Sequence, residues 1–180
     1  YGFGVADVSG KGIKSSLLMS KASSLYSCLS KTNLSPANLL TQLNNEICET
    51  ISRGMFVTML IGIYDSNSSE LLLANAGHEP PIIMDDDDKF SNFEEAGPPL
   101  GIVSKTQYKE YKLPFNKSSM YIFTDGITEI KNPEGNELGS KGFQNYIMRY
   151  KDKVNNERLK LIIDSVLNSK YIQKDDLTIV

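Results

Sequence analysis

The chain has 180 residues, 40% of them hydrophobic and 23% charged, with a formal net charge of -3 and a pI near 5.3. That length supports one domain with a sizeable core, and the composition is that of an ordinary globular protein. The acidic balance argues against the basic face of a nucleic-acid binder, and no run is long and apolar enough to cross a membrane.

"YGFGVAD" reads as a strand that ends at Asp7. After the glycine turn, Leu18, Ala22, Leu25 and Leu29 fall on one face of a helix. A second helix starts in "NLSPANLL", with Ser35 as N-cap and Pro36 in the first helical position; Leu40, Leu43, Ile47 and Ile51 form its apolar stripe. The two cysteines, Cys28 and Cys48, both fall in these helical segments. They read as reduced thiols of a cytoplasmic protein, with a disulfide or metal pair as the alternative.

"MFVTMLIGIYD" and "ELLLANAG" are β-rich runs joined by the hairpin signal "SNSS". "PPIIM" continues as strand into "DDDDK", read as a solvated hairpin tip because a calcium loop needs spaced ligands and a glycine. "AGPPLGI" is a rigid loop, and "SSMYIFTDGITEI" is a strand that stops at Asp125. "KGFQNYIMRY" and "NERLKLIIDSVLNS" read as helices, and "DDLTIV" closes with a strand. Helices and strands come in blocks, which predicts an α+β fold rather than alternating βαβ units. No internal repeat or linker is visible, so 1–180 reads as one domain; both ends look cut within strands.

"DVSGKG" resembles a phosphate-binding loop but fails the G-x-x-x-x-G-K-[ST] pattern twice: Gly12 follows Lys11, and Val5 stands where the first glycine belongs. The glycines then mark a turn passing close to a ligand or backbone, and the polar group delivered there is Asp7. Asp125 stands before a glycine, and Asp175 and Asp176 precede the last strand. One carboxylate at a strand end is usually a turn residue bonding its own backbone. Three such positions point to a shared site.

The single histidine, His78, has no G-x-S-x-G elbow to accompany it, and the cysteines are badly spaced for zinc. Carboxylates, carbonyls and water suit Mg2+ or Mn2+. Two such ions about 4 Å apart can clamp a phosphoryl group and ionise the attacking water. On this reading Asp7 is the working residue of the first loop.

"VADVSGKG", "FVTMLIGIYD", "LANAGHEPP", "GPPLGI", "IFTDGITEI" and "DDLTIV" occur in that order along the chain. In these stretches the sequence resembles the SpoIIE-type (RsbU-like) branch of the metal-dependent, type 2C-like (PPM) protein serine/threonine phosphatases. The resemblance implies a four-layer α-β-β-α sandwich of two antiparallel sheets flanked by helix pairs, truncated at its N-terminus. It implies that Asp7 bridges two Mn2+ or Mg2+ ions, with the Val8 carbonyl and Asp125 also ligands. In "DDLT" it implies Asp175 as the metal aspartate, with Asp176 as the alternative. The water between the metals would attack phosphorus directly, with no phosphoenzyme.

Family members typically act on a phosphorylated STAS-domain anti-sigma-factor antagonist in bacterial partner-switching signalling, often from chains with a sensor or receiver domain upstream. No nucleic acid and no direct membrane contact are implied for this domain. The family's N-terminal strand with a further ligand aspartate is not in this chain, which allows the alternative of a pseudophosphatase that binds its partner without turnover. A nucleotidase or other small-molecule phosphohydrolase is the third reading. Lys11 could neutralise phosphate or be a solvated turn lysine. His78 could contact substrate as a proton donor or make a structural hydrogen bond in its turn. Thr128 and Glu129 are read as holding the Asp125 loop, and Met19 and Met55 as core fillers.

Overall fold

A computed structural model describes residues 1–52, 54–93, 96–132, 134–168 and 177–180. They group into two compact units, Tyr1–Pro80 with Glu94–Asn116, and Pro81–Phe93 with Lys117–Val180. Each unit holds one antiparallel sheet and its own helices. This agrees with the α+β reading and the expectation of two antiparallel sheets.

In the first unit the sheet order is β1 (Gly2–Val8), β2 (Val57–Asp65), β3 (Glu70–Ala76) and β6 (Tyr111–Pro114). Helices α1 (Ile13–Leu29) and α2 (Pro36–Cys48) pack on one face. Three residues of the expected α2 stripe behave as their spacing requires: Leu40, Leu43 and Ile47 are fully buried, while Ile51 lies past the helix end at Cys48, half-buried against the same core. Burying each such side chain stabilises the fold by about 1.5–3 kcal/mol. Ser35 takes the extended backbone of an N-cap, without a side-chain capping bond, and Pro36 opens the helix. On α1, Leu18 and Ala22 are buried against the same core, with Leu25 and Leu29 half-buried beside them.

Strand alternation sorts the sheet faces. Ala6, Val8, Val57, Met59, Ile61, Ala74 and Ala76 belong to the helix-side core. Their neighbours Asp7, Thr58, Leu60 and Asn75 therefore share the opposite face. Leu60, Leu71 and Leu73 are also buried, so both faces of β2 and β3 carry buried residues. That is why "MFVTMLIGIYD" reads as a near-continuous apolar run rather than an alternating one. Gly62 is required in this strand: the ring of Phe3, its register partner, lies where a Cβ would be, 2.1 Å from it.

Asn44 on α2 is buried and fully used. Its Nδ2 donates to the Val103 carbonyl at 2.9 Å, and its Oδ1 accepts the Gly101 N–H at 2.9 Å. That amide pins the "GPPLGI" loop, whose Leu100 pairs with Val57. Tyr108 donates its phenol to the Pro98 carbonyl at 2.8 Å, and burial pushes its pKa upward.

In the second unit the sheet order is β5 (Phe90–Asn92), β4 (Ile82–Met84) and β7 (Ser119–Tyr121). With it go the short α3 (Asp125–Thr128), α4 (Gly139–Arg149) and α5 (Asn155–Asn168). The core centres on Phe143 and Phe123, packed edge-to-face with ring centroids 4.9 Å apart. Arg158 is buried. It donates to the Tyr121 hydroxyl at 2.6 Å, to the Lys153 carbonyl at 3.0 Å and to the Lys151 carbonyl. The acidic tip reads as expected: the Asp85 carboxylate accepts the N–H groups of Asp87 and Lys89, and lysines pair with Asp86, Asp87 and Asp88.

Two expectations shift. The strand predicted to reach Asp125 ends at Tyr121; beyond it Phe123 bridges Ile179, and Asp125 opens a helical turn. Strand β6 has no counterpart in the sequence reading. Among the described residues no helix is long and apolar enough to cross a membrane, and Cys28 and Cys48 are free thiols.

Candidate active site

Asp7 stands at the end of β1, where the register pairs it with Thr58 and pairs Val8 with Val57. Its carboxylate is exposed, and its Oδ1 accepts the Val8 N–H at 2.9 Å. The turn that follows is clamped by two serines. Ser9 holds the Phe56 backbone twice: its N–H donates to the Phe56 carbonyl at 3.0 Å, and its Oγ accepts the Phe56 N–H at 2.8 Å. Buried Ser15, in the first turn of α1, donates its hydroxyl to the Ser9 carbonyl at 3.1 Å. Gly10 and Gly12 have φ of 78 and 89, the left-handed region that glycine enters without strain. The glycines of "DVSGKG" thus turn the chain sharply from strand to helix, leaving Asp7 at the strand end. Lys11 is exposed on this turn.

His78 is buried just beyond β3, after Gly77 turns the chain with φ of 70. Its ring Nδ1 lies 3.0 Å from the Thr58 hydroxyl. The Asn75 side chain holds the His78 backbone from both sides, accepting its N–H at 2.8 Å and donating to its carbonyl at 3.0 Å.

Asp125 is exposed at the first position of α3. Its backbone carbonyl accepts the Glu129 N–H at 2.9 Å and the Thr128 hydroxyl at 3.1 Å. Thr124 is tied to Thr178 through two bonds of 3.2 Å, one to its hydroxyl and one from its N–H. Thr128 and the backbone of Glu129 therefore close this turn, as their placement after "TDGI" suggested. Asp175 and Asp176 lie outside the described residues.

Sequence reasoning missed Ser9, Ser15, Thr58 and Asn75. Serine and threonine are common anywhere on a surface, and Thr58 acquires meaning only when the strand register sets it opposite Asp7.

Asp7 and Asp125 each offer the hard-oxygen donor that Mg2+ and Mn2+ prefer. Among the described residues no three His, Cys, Asp or Glu side chains come together. Such ions commonly retain several water ligands, so a single exposed carboxylate fits the chemistry as one member of a coordination shell.

The family model described as Stage II sporulation protein E (SpoIIE) matches residues 1–180. The chain belongs to the SpoIIE family. It is 32% identical over 179 residues to the phosphoserine phosphatase RsbU of Bacillus subtilis, covering 98% of this chain and 53% of that relative. The chain thus spans about half the length of that relative. Among solved structures, the SiaA-PP2C domain of Pseudomonas aeruginosa superposes with a TM-score of 0.84 at 18% identity, over 99% of this chain and 73% of that one. RsbX in complex with magnesium superposes with a TM-score of 0.67 at 17% identity, over 98% of this chain and 77% of that one. At these identities the structural likenesses establish the PP2C-type fold of this SpoIIE-family chain.

Proposed function

We propose that residues 1–180 form the catalytic domain of a metal-dependent phosphoserine/phosphothreonine protein phosphatase. The observation that carries this reading is the exposed Asp7 carboxylate at the end of β1, in a chain matched throughout by the SpoIIE model and 32% identical to a phosphoserine phosphatase. Asp7, the Val8 carbonyl, Asp125 and Asp175 are the proposed ligands of two Mn2+ or Mg2+ ions, with Asp176 the alternative to Asp175. RsbX, solved with magnesium, supports a divalent ion of this class. When bound, such ions supply a nucleophile from water at neutral pH and offset the charge of the phosphoryl group.

The chain's own residues do the rest. Carboxylates hold position and charge, and the Ser9–Ser15 clamp keeps the turn after Asp7 from drifting. Lys11 sits on that turn as an exposed cation whose contribution to phosphate binding is small. The proposed substrate is a phosphorylated STAS-domain anti-sigma-factor antagonist, in cytoplasmic partner-switching signalling under control of an upstream sensor or receiver domain.

The test is phosphate release from phosphorylated STAS proteins and from nucleotides by the full-length protein with Mn2+. Release from the phosphoprotein alone supports the reading. Capture of the phosphoprotein without turnover would replace it with the pseudophosphatase, and preference for nucleotides with a small-molecule phosphohydrolase.

A further inference from the structure

The "NAGH" stretch has no part in the chemistry above, yet three hydrogen bonds tie Asn75, His78 and Thr58 together. Asn75 and His78 are both buried, at 3% and 4% exposure. Burying two polar side chains costs free energy unless their hydrogen bonds are made. Here the Asn75 amide fixes the His78 backbone from both sides, and the ring points its Nδ1 at the Thr58 hydroxyl, 3.0 Å away. Thr58 Oγ1 in turn donates to the Asp7 carbonyl at 3.4 Å. A hydroxyl has one proton. Thr58 can serve both neighbours only if it accepts from an Nδ1–H and donates to Asp7. The order of donors is therefore His78 to Thr58 to Asp7.

The Asp7 carbonyl and the Val8 N–H belong to one peptide plane. Orienting the carbonyl at one end orients the N–H at the other. That N–H donates to Asp7 Oδ1 at 2.9 Å. The peptide that Thr58 holds is thus the same one that sets the direction of the Asp7 carboxylate, and it is followed directly by the Val8 carbonyl. We propose that His78 is a positioning residue acting through Thr58: the chain Asn75–His78–Thr58 aims the Asp7–Val8 peptide so that the carboxylate meets the metal. This rests on the reading of Asp7 as a metal ligand. It gives the histidine a role away from the substrate.

The account predicts a defect in metal affinity rather than in substrate binding. The Thr58–Asp7 bond is long for a hydroxyl donor, so the effect is expected to be moderate, about fivefold to tenfold. The experiment is titration calorimetry of Mn2+ into the full-length protein, with Thr58→Val, Thr58→Ser, His78→Leu, His78→Asn and Asp7→Asn as variants. KM for p-nitrophenyl phosphate at saturating Mn2+ and thermal midpoints are measured alongside.

Thr58→Val keeps the shape and removes the hydroxyl; His78→Asn keeps a donor near the place of Nδ1. Expected are a weaker Mn2+ affinity in Thr58→Val and His78→Leu, recovery to within about twofold in Thr58→Ser and His78→Asn, and an unchanged KM. The Thr58→Val/His78→Leu double variant should be no worse than the weaker single, since both cut one chain. Wild-type Mn2+ affinity in folded Thr58→Val, beside a loss in Asp7→Asn, overturns the positioning role alone. Wild-type affinity in Asp7→Asn overturns the underlying reading. Failure of both Thr58 variants to fold also overturns the proposal, because it assigns Thr58 to the scaffold.

Discussion

The two candidate aspartates are held by different means. Asp7 is the penultimate residue of a seven-residue strand paired along its whole length with β2; side chains from β2 and α1 bond the backbone at and just after it, and His78, in the turn after β3, bonds the Thr58 hydroxyl. Asp125 follows irregular backbone after Tyr121 and sits on a four-residue helical turn, held by its own neighbours Thr128 and Glu129 and by the bonds of Thr124 to Thr178. Sheet register positions the first carboxylate; a local turn positions the second. The first carboxylate is therefore sensitive to side chains distant in sequence, whereas the second depends on Thr128 and Glu129 close by and on one distant tie, Thr124 to Thr178.

The largest expected effect removes the feature the two places share. Asp7→Asn and Asp125→Asn in the full-length protein each keep shape and remove charge, so each should lower metal-dependent turnover by about a thousandfold or more, roughly 4 kcal/mol of transition-state stabilisation. Circular dichroism and thermal midpoints should stay near wild type, because both side chains are exposed. Turnover surviving in only one of the two folded variants would mean that only the other aspartate is essential.

The next effect contrasts the buried polar side chain that ties loops in each unit. Asn44→Ala strips partners from the Gly101 N–H and the Val103 carbonyl, and Arg158→Ala strips them from Tyr121, Lys151 and Lys153. Leaving such groups unsatisfied costs about 1–3 kcal/mol each, with the larger loss for the charged donor. Urea unfolding should therefore rank Arg158→Ala below Asn44→Ala, and both below wild type. Equal midpoints for all three proteins would show that water replaces these bonds without cost.

Much of this contrast was legible in the sequence, and part of it was not. Period-3.6 stripes located α1 and α2 because Leu18, Leu40, Leu43 and Ile47 face a core. Asp7 and Asp125 stood out because an acidic residue closing an apolar run beside glycine is an unusual pattern. Strand β6 escaped because it is four residues at a sheet edge, ending in Pro114 and alternating half-buried Tyr111 and Leu113 with exposed Lys112. The helical turn at Asp125 escaped because "YIFTDGITEI" carries β-prone residues on both sides, and the local bonds of Thr128 override that tendency. The hydroxyls around Asp7 escaped for a different reason: Thr58 lies 51 positions from Asp7, and only strand pairing brings them together.

Smaller effects sharpen the comparison at its margins. Lys11→Ala should reduce kcat/KM by less than about tenfold, under ~1.4 kcal/mol, since an exposed lysine adds little where metals offset the phosphate charge. A loss near a thousandfold would make Lys11 a phosphate clamp and the "DVSGKG" turn a substrate site.

The smallest expected effect lies where β3 pairs with the edge strand β6 of the first unit. The hydrogen bond from Lys112 holds the Glu70 carboxyl below its ordinary pKa. A lowered carboxylate pKa adds stability above the unfolded value and loses it as pH falls through the folded one. Glu70→Gln should slightly flatten the acid limb of a thermal-midpoint profile and leave the neutral region unchanged. A shift of the neutral region instead would point to lost packing.

The proposed reaction is hydrolysis of phosphoserine or phosphothreonine by metal-assisted attack of water, with no phosphoenzyme. The most direct measurement follows phosphate release from a 32P-phosphoserine protein substrate by the full-length protein, stripped with a chelator and then resupplied with Mn2+ or Mg2+, while protein-bound label is counted. The account predicts turnover lost in chelator, restored by either ion, and no label retained on the enzyme. Undiminished turnover in chelator, or label accumulating on the protein during turnover, would contradict it.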